Sequence, residues 1–189
     1  MVQAGGVSST AGHLLVSIPD MGDDNFEQTV VLMLEHDEQG ALGVVLNRPS
    51  GTAVAEHLGH LAEIVASPPW FFVGGPVGIG GQLALGRQRL GAPGAKGTRI
   101  VGPVVLVEPR SLLDAEPETL DVVRLFTGYS GWAPGQLDAE IAAGTWHVAS
   151  ALPDDVFTSE PERLWRSVMK RQGGRLVAQS LFPDDVSAN

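Results

Sequence analysis

The stretch Thr29–Asn47, TVVLMLEHDEQGALGVVLN, decides how this chain folds. Thr29–Glu35 is almost wholly β-branched or apolar, the composition of a strand with little solvent contact. Asp37–Gly40 supplies turn chemistry, and Ala41–Asn47 reads as the returning strand of a hairpin. Working outward toward the N-terminus, His13–Ile18 is a further buried strand stopped by Pro19. The acidic run Asp20–Asn25 is a loop or a single helical turn before Phe26, and residues 1–11, small and polar, are expected to form a disordered tail.

On the C-terminal side, Arg48-Pro49-Ser50-Gly51 ends the hairpin, because proline cannot continue a hydrogen-bond ladder. Thr52–His60 is expected to be a short helix capped by Thr52, ahead of the Pro68-Pro69 break. Trp70–Val73 is a short strand that runs into a glycine-rich loop over 74–81. Gln82–Arg87, Arg99–Glu108 and Val122–Phe126 are further strand candidates. Pro134–Ala143 is a helix with proline at its start, Leu137 and Ile141 one turn apart and Gly144 as its stop. Thr145–Ser150 returns as a strand. The last helix opens on Ser159-Glu160-Pro161-Glu162, a capping-box spacing. Leu164, Trp165, Val168 and Met169 share one of its sides, with Arg163, Arg166 and Lys170 opposite, and Gly173-Gly174 closes it. Strands come first and helices are inserted irregularly. That order predicts an α+β fold built on a mixed, curled sheet rather than a doubly wound parallel one.

The 189 residues suit one hydrophobic core. With 24 glycines and 13 prolines, many short elements joined by turns are expected. The chain has no cysteine, which excludes disulfides, thiolate metal sites and a cysteine nucleophile. Neither a secretory leader nor a run of about 18 apolar residues is visible, so a cytoplasmic address and no membrane contact are expected. A net charge of −10 repels phosphate backbones and disfavours nucleic acid as a partner. Two basic clusters, Arg87, Arg89, Lys96 and Arg99, then Arg163, Arg166, Lys170, Arg171 and Arg175, read first as solvated faces.

Most catalytic motifs fail on their details. Gly78-Ile79-Gly80 would need glycine at position 83 for a dinucleotide fingerprint, and Leu83 stands there. Gly94-Ala95-Lys96-Gly97-Thr98 has lysine and glycine in the wrong order for a P-loop. Ser130 sits in Gly128-Tyr129-Ser130-Gly131-Trp132, where Trp132 occupies the place of the second glycine of a nucleophile elbow. His57 and His60 are spaced to share a helix face but lack a third ligand nearby, so no metal and no cofactor are expected. Glu35-His36-Asp37 holds more interest, because a carboxylate beside an imidazole fixes its tautomer for acid–base work.

Three segments taken in order, EHDEQGALGVVLNRP at 35–49, FFVGGPV at 71–77 and GYSGWAPGQLDAEIAAGTW at 128–146, resemble the AlgH/YqgE family of bacterial proteins. DDVF at 154–157 and the Trp165 helix fit as well. The resemblance runs from about Gly12 to Phe182, which makes 12–182 a single domain with an acidic tail over 183–189. It implies a split, mixed sheet that curls into a pseudo-barrel with peripheral helices. It also carries a transcriptional-regulator label without a recognised DNA-binding module, and no established catalytic residue. Positions matching the family pattern are Glu35, His36, Gly40, Gly43, Asn47, Pro49, Gly74, Gly75, Pro76, Tyr129, Trp132, Gln136 and Trp146. After the Gly-Gly-Pro, where the family often has an acid-Arg-Gly run and then a histidine, this chain has Gly80, Gly81 and Gln82, with Gly86 at the histidine position.

The function expected from this reading is a non-enzymatic regulatory or small-ligand-binding module, monomeric by default, taking a small anion or a peptide. Its cleft is expected to gather Asn47, Arg48, Gly74, Gly75 and Pro76, walled by Tyr129, Trp132 and Gln136. Glu35 and His36 either join that cleft or, lying at the other end of their hairpin, form a separate site. The alternatives are a nucleic-acid-binding transcriptional regulator using one of the basic clusters and a hydrolase using Ser130 or His36.

Overall fold

The structure is a computed structural model that describes residues 9–18, 27–92, 97–107, 112 and 119–179. Its strands are β1 (His13–Ser17), β2 (Val30–Asp37), β3 (Gly40–Val45), β4 (Pro49–Ala53), β5 (Trp70–Val73), β6 (Val77–Gln88), β7 (Thr98–Val101), β8 (Val104–Val107), β9 (Leu120–Trp132) and β10 (Trp146–Ser150). The helices discussed below are α1 (Gln136–Ala142), α2 (Pro153–Val156), α3 (Pro161–Gln172) and α4 (Gly174–Gln179). The acidic run Asp20–Asn25, the C-terminal tail and most of the N-terminal tail lie outside the described residues.

The hairpin β2–β3 pairs as its sequence requires, and the sheet grows from it in the order β10-β1-β2-β3-β9-β6-β8-β7. β4 and β5 branch from this path, with β5 parallel to β9 and all the other pairings antiparallel. The outer strands β10 and β7 do not meet, so the mixed, curled sheet stays open and the fold is α+β.

Both faces of the β1–β3 half are covered. Leu14, Val16, Val30 and Leu32 join Phe72, Leu85 and Phe126 beneath Leu164, Trp165, Val168 and Met169 of α3. Leu15, Val31, Met33 and Val45 pack on the other side against Leu137 of α1, Trp132 and Trp146. A strand buried on both faces needs apolar side chains at every position, which is why TVVLML runs unbroken instead of alternating. The β6–β9 half has its own outer cluster, in which Val54, Leu61 and Phe71 cover Ala84, Val105, Val123 and Leu125. Trp165 is anchored as well as buried, its indole N–H donating to the Ser17 carbonyl at 2.9 Å.

Several expected elements differ. Thr52 caps no helix: Pro49 opens the short strand β4, a position where a missing N–H is tolerated, and two 3-10 turns follow at Val54–Glu56 and Gly59–Leu61. The glycine-rich segment after Pro76 belongs to β6, whose register against β9 breaks between Val77 and Gln82, so the glycines form an irregularity in a strand rather than a free loop. The described part of the expected strand Arg99–Glu108 is the turn and arms of the hairpin β7–β8, not one strand, because Gly102 takes a positive φ and Pro103 offers no N–H to a ladder. Val122–Phe126 is the middle of the longer β9, which includes the GYSGW motif. At the last helix no Ser159 capping bond forms; Glu160 occupies the cap position without a side-chain bond. Gly173 does end α3, and the chain then re-enters a helix.

The diglycine sets how closely β5 approaches β9. A Cβ on Gly74 would strike the Gly128 carbonyl, and one on Gly75, whose φ is +152°, would strike the backbone of Tyr129 and Ser130. Gly74 donates its N–H to Thr127 at 2.9 Å, and its carbonyl accepts from the Val45 N–H at 2.9 Å. Gly75→Ala is expected to destabilise the protein by about 3 kcal/mol or more, since neither backbone can yield without breaking the ladder. Urea titration checks this; a loss below about 1 kcal/mol overturns it.

Candidate functional site

The site begins with an irregularity in β2. Met33 lies opposite Gly43, but Glu35 lies opposite Leu42, so Leu34 is an extra residue. One added residue reverses which side of the sheet the rest of the strand presents. His36 therefore turns to the α1 side, where unbroken alternation would have put Glu35. Glu35 and Asp37 stay exposed, and His36 is only 6% exposed.

The buried imidazole is hydrogen-bonded at Nδ1 and faces a carboxylate at Nε2. Nδ1 lies 3.0 Å from the Thr10 hydroxyl and accepts from the Thr10 backbone N–H at 3.3 Å. A backbone N–H can only donate, so Nδ1 is the acceptor and the ring proton of the neutral imidazole belongs on Nε2. Nε2 is 3.5 Å from Oδ2 of Asp138 in the first turn of α1. Ser9 completes the attachment by donating to the His36 carbonyl at 2.9 Å. The end of the expected N-terminal tail is thus packed: Thr10 is 7% exposed, and the Gly12 N–H reaches the Met33 carbonyl at 2.9 Å. Asp138, rather than Glu35 or Asp37, is the carboxylate that His36 meets.

A cavity of about 320 Å3 opens beside this relay, lined by Ser9, Thr10, His13, Asp138, Ile141 and Val148. A second hollow, of about 220 Å3, lies at the end of β2 and includes Glu35, Asp37, Gly40 and Trp132 in its wall. Beneath them Glu140 organises α1. Its Oε2 accepts the indole N–H of both Trp132 and Trp146 at 2.8 Å, and its Oε1 accepts from Gln136 at 2.9 Å.

The other expected site residues serve the protein's own backbone. The Asn47 side chain accepts from the Val30 N–H at 3.0 Å and donates to the Gln28 carbonyl at 2.8 Å. Arg48 donates to the Glu27 carbonyl at 3.2 Å and the Thr29 hydroxyl at 3.0 Å. Arg48 and the diglycine are neighbours, the Val73 N–H reaching the Arg48 carbonyl at 2.8 Å, yet the bare glycine surface is filled by β9 and neither cavity described above is lined by it. Asn47 touches the start of β2 and His36 sits at its end, roughly 20 Å along the strand, so the two groups are separate. Tyr129 packs with the α3-side core and Trp132 with the α1-side cluster, so they do not wall a common cleft. Pro76 is exposed. Ser130 is 1% exposed and donates to the Gly74 carbonyl at 3.2 Å rather than to a base. His57 stacks edge-on to Phe71, and His60 contacts the Leu112 carbonyl at 3.1 Å.

One residue absent from the expected set is Arg124 of β9, 1% exposed among apolar side chains. Its Nη2 donates to the carbonyls of Ser67 at 2.7 Å and Thr158 at 2.9 Å, and the guanidinium lies 4.2 Å from the centre of the Phe72 ring. Nε and Nη1 have no partner among the described residues. Burial without an acid pushes this group down to about 10. Its sequence signal was available, a single cation inside the apolar run VVRLF at 122–126. Thr10 and Asp138 had none, being unremarked polar residues brought to His36 by the fold.

The AlgH-like family model matches residues 14–177. The chain belongs to the AlgH-like family. It is 44% identical over 191 residues to the UPF0301 protein SCO2948 of Streptomyces coelicolor, covering 97% of each chain. A UPF0301 protein of Mycolicibacterium smegmatis is 44% identical over 185 residues, covering 94% of this chain and 90% of the relative. Among solved structures, protein DIP2367 from Corynebacterium diphtheriae superposes with a TM-score of 0.82 at 35% identity, over 91% of this chain and 92% of that one. The AlgH protein of Pseudomonas aeruginosa gives 0.70 at 30% identity, over 98% and 100%. Family membership secures the fold; none of these names states a ligand or a reaction. No helix among the described residues is long and apolar enough to cross a membrane.

Two outcomes follow from this geometry. His36→Ala is expected to free the 9–12 segment, raising the hydrogen-exchange rate of the Gly12 amide about 10-fold or more through the loss of roughly 1.4 kcal/mol of local stability; unchanged exchange contradicts it. For Arg124, the folded-state value near 10 lies below the usual guanidinium range, so the folded protein binds this proton less readily than the unfolded chain does. Stability attributable to Arg124 is therefore lost as pH falls through about 10 and regained as pH rises above it toward the ordinary guanidinium range. Denaturation from pH 8 to 11 is expected to show wild type gaining on Arg124→Met as pH climbs; a flat or falling difference overturns the assignment.

Proposed function

We propose that this protein is a small-ligand-binding domain whose site is the cavity beside His36 and Asp138. The observation that carries the reading is that Thr10 and Asp138, the two side chains flanking the buried His36 imidazole, both line that cavity. Burying such a polar group has a desolvation cost, which the hydrogen bonds at Nδ1 and the carboxylate 3.5 Å from Nε2 offset while they hold the ring in place. Ser9, Thr10, His13 and Asp138 offer mixed polarity opposite the apolar Ile141 and Val148, the pattern of a pocket that orients a small molecule.

The same contacts weigh against the other readings. Arg48, the cation expected to attract an anion, is bound to the segment before β2. Four of the nine residues of the basic clusters are paired with acids in place: Arg171 meets Asp155 at 2.6 Å, Arg163 meets Glu160 at 2.9 Å, Arg89 meets Asp121 at 3.1 Å and Arg87 meets Asp154 at 3.3 Å. On a chain of net charge −10, such paired arginines do not make a phosphate-binding stripe. A regulatory role fits a protein that reports the level of a small polar metabolite.

A thermal-shift screen of small polar metabolites tests the reading. A ligand at 100 times its Kd is expected to add about 2.7 kcal/mol, a shift of roughly 5–10 °C for a domain of this size. Ile141→Trp, which fills the cavity, is expected to abolish the shift, and Arg48→Ala to leave it. A ligand whose effect survives Ile141→Trp binds elsewhere and sinks the proposal.

A further inference from the structure

The relay beside the cavity has the parts of an acyl-transfer site. General-base activation of a hydroxyl requires an imidazole nitrogen whose lone pair reaches the oxygen, and an acid near the other nitrogen, which carries the ring proton. Nδ1 of His36 is 3.0 Å from the Thr10 hydroxyl and shares its one lone pair between that hydroxyl and the Thr10 N–H at 3.3 Å, the hydroxyl being the nearer of the two. Asp138, partly exposed, lines the same cavity and stands 3.5 Å from Nε2. The nitrogens are exchanged relative to the usual serine-hydrolase arrangement, but the roles are preserved: hydroxyl, base, orienting carboxylate. His36 is buried, so the imidazolium formed during reaction would be screened little by water and would depend on Asp138.

We propose that Thr10 is a nucleophile that accepts a short acyl group from an activated ester, with His36 as general base and Asp138 as its positioning residue. The proposal rests on the ligand site argued above and names the ligand class. The Thr10 oxygen attacks the acyl carbon while its proton passes to Nδ1 of His36. The bond from the acyl carbon to the leaving oxygen then breaks, and that oxygen takes the proton from Nδ1, leaving acyl-Thr10 and an alcohol. Water, losing a proton to Nδ1, attacks the acyl-Thr10 carbonyl; the Thr10 oxygen departs with that proton and the carboxylic acid is released. The sum is ester plus water giving acid plus alcohol. The donor class is an activated ester, whose leaving group departs with the least help from oxyanion stabilisation. Ile141 and Val148 limit the acyl part to a short apolar chain.

The experiment incubates the full chain with p-nitrophenyl acetate and follows p-nitrophenolate release together with the intact mass and peptide map. A single acetyl group on Thr10 is expected. Thr10→Val and His36→Gln are each expected to slow acylation by about 100-fold or more, as loss of a nucleophile or a general base does. Thr10→Ser, which keeps the hydroxyl, is expected to retain it, a rescue that a merely structural Thr10 would not show. Circular dichroism confirms that each variant is folded; if Thr10→Val unfolds, the Thr10→Ser and His36→Gln comparison decides alone. Acetylation absent from wild-type Thr10, or unchanged in His36→Gln, overturns the proposal. A metabolite that still shifts the melting of Thr10→Val while no acylation occurs would overturn only the chemistry and leave the binding site standing.

Discussion

The backbone of Gly74 and Gly75 lies against that of Gly128, Tyr129 and Ser130 with no room for a side chain between them, and the rest of the molecule is arranged around this contact. It joins β5 to β9 in parallel, while β9 pairs with β6 on its opposite edge and with β3 further along the same one. Through Gly74 the same point reaches β3, because its carbonyl accepts from Val45 as well as from the Ser130 hydroxyl. A glycine surface of this kind, read without coordinates, suggests space for an anion. Here the occupant is the chain itself. The two halves of the sheet can share one curled core only because two strands meet backbone to backbone.

With that frame in place, the irregularities position the chemistry. The extra residue in β2 turns His36 toward α1 and leaves Glu35 and Asp37 in water. α1 in turn is held by Glu140, which binds two indoles and Gln136 and so fixes where Asp138 stands. The His36–Asp138 pair thus depends on a strand defect on one side and a tryptophan clamp on the other. Arg124 plays the corresponding part across the sheet, joining the loop before β5 to the segment before α3 through two carbonyls and the Phe72 ring. Its remaining N–H groups lack partners among the described residues, so this tie is held at an electrostatic cost.

Much of the fold was legible beforehand. The hairpin, the strand before it and the α3 face of Leu164, Trp165, Val168 and Met169 were read from apolar periodicity, because burial selects side chains directly. The elements misread, Thr52–His60 and the glycine segment after Pro76, have sequences with weak local preferences, and neighbouring strands decided them. Of the expected site, Asn47, Arg48, Gly74 and Gly75 do lie near one another, but as mutual supports of the backbone. Thr10 and Asp138 were invisible because nothing in a threonine near the N-terminus or an aspartate on a short helix marks a shared destination.

By itself the amino-acid order determined the α+β class, the central hairpin and membership of the AlgH-like family, since those follow from local preference, from apolar periodicity and from motifs in a set order. Only the tertiary structure decided which carboxylate meets His36, which backbone covers the diglycine and where a cavity opens. Those outcomes depend on strand register and on contacts between residues more than 100 positions apart, such as His36 and Asp138. A one-residue change of register moves a side chain to the opposite face, and no local pattern records it.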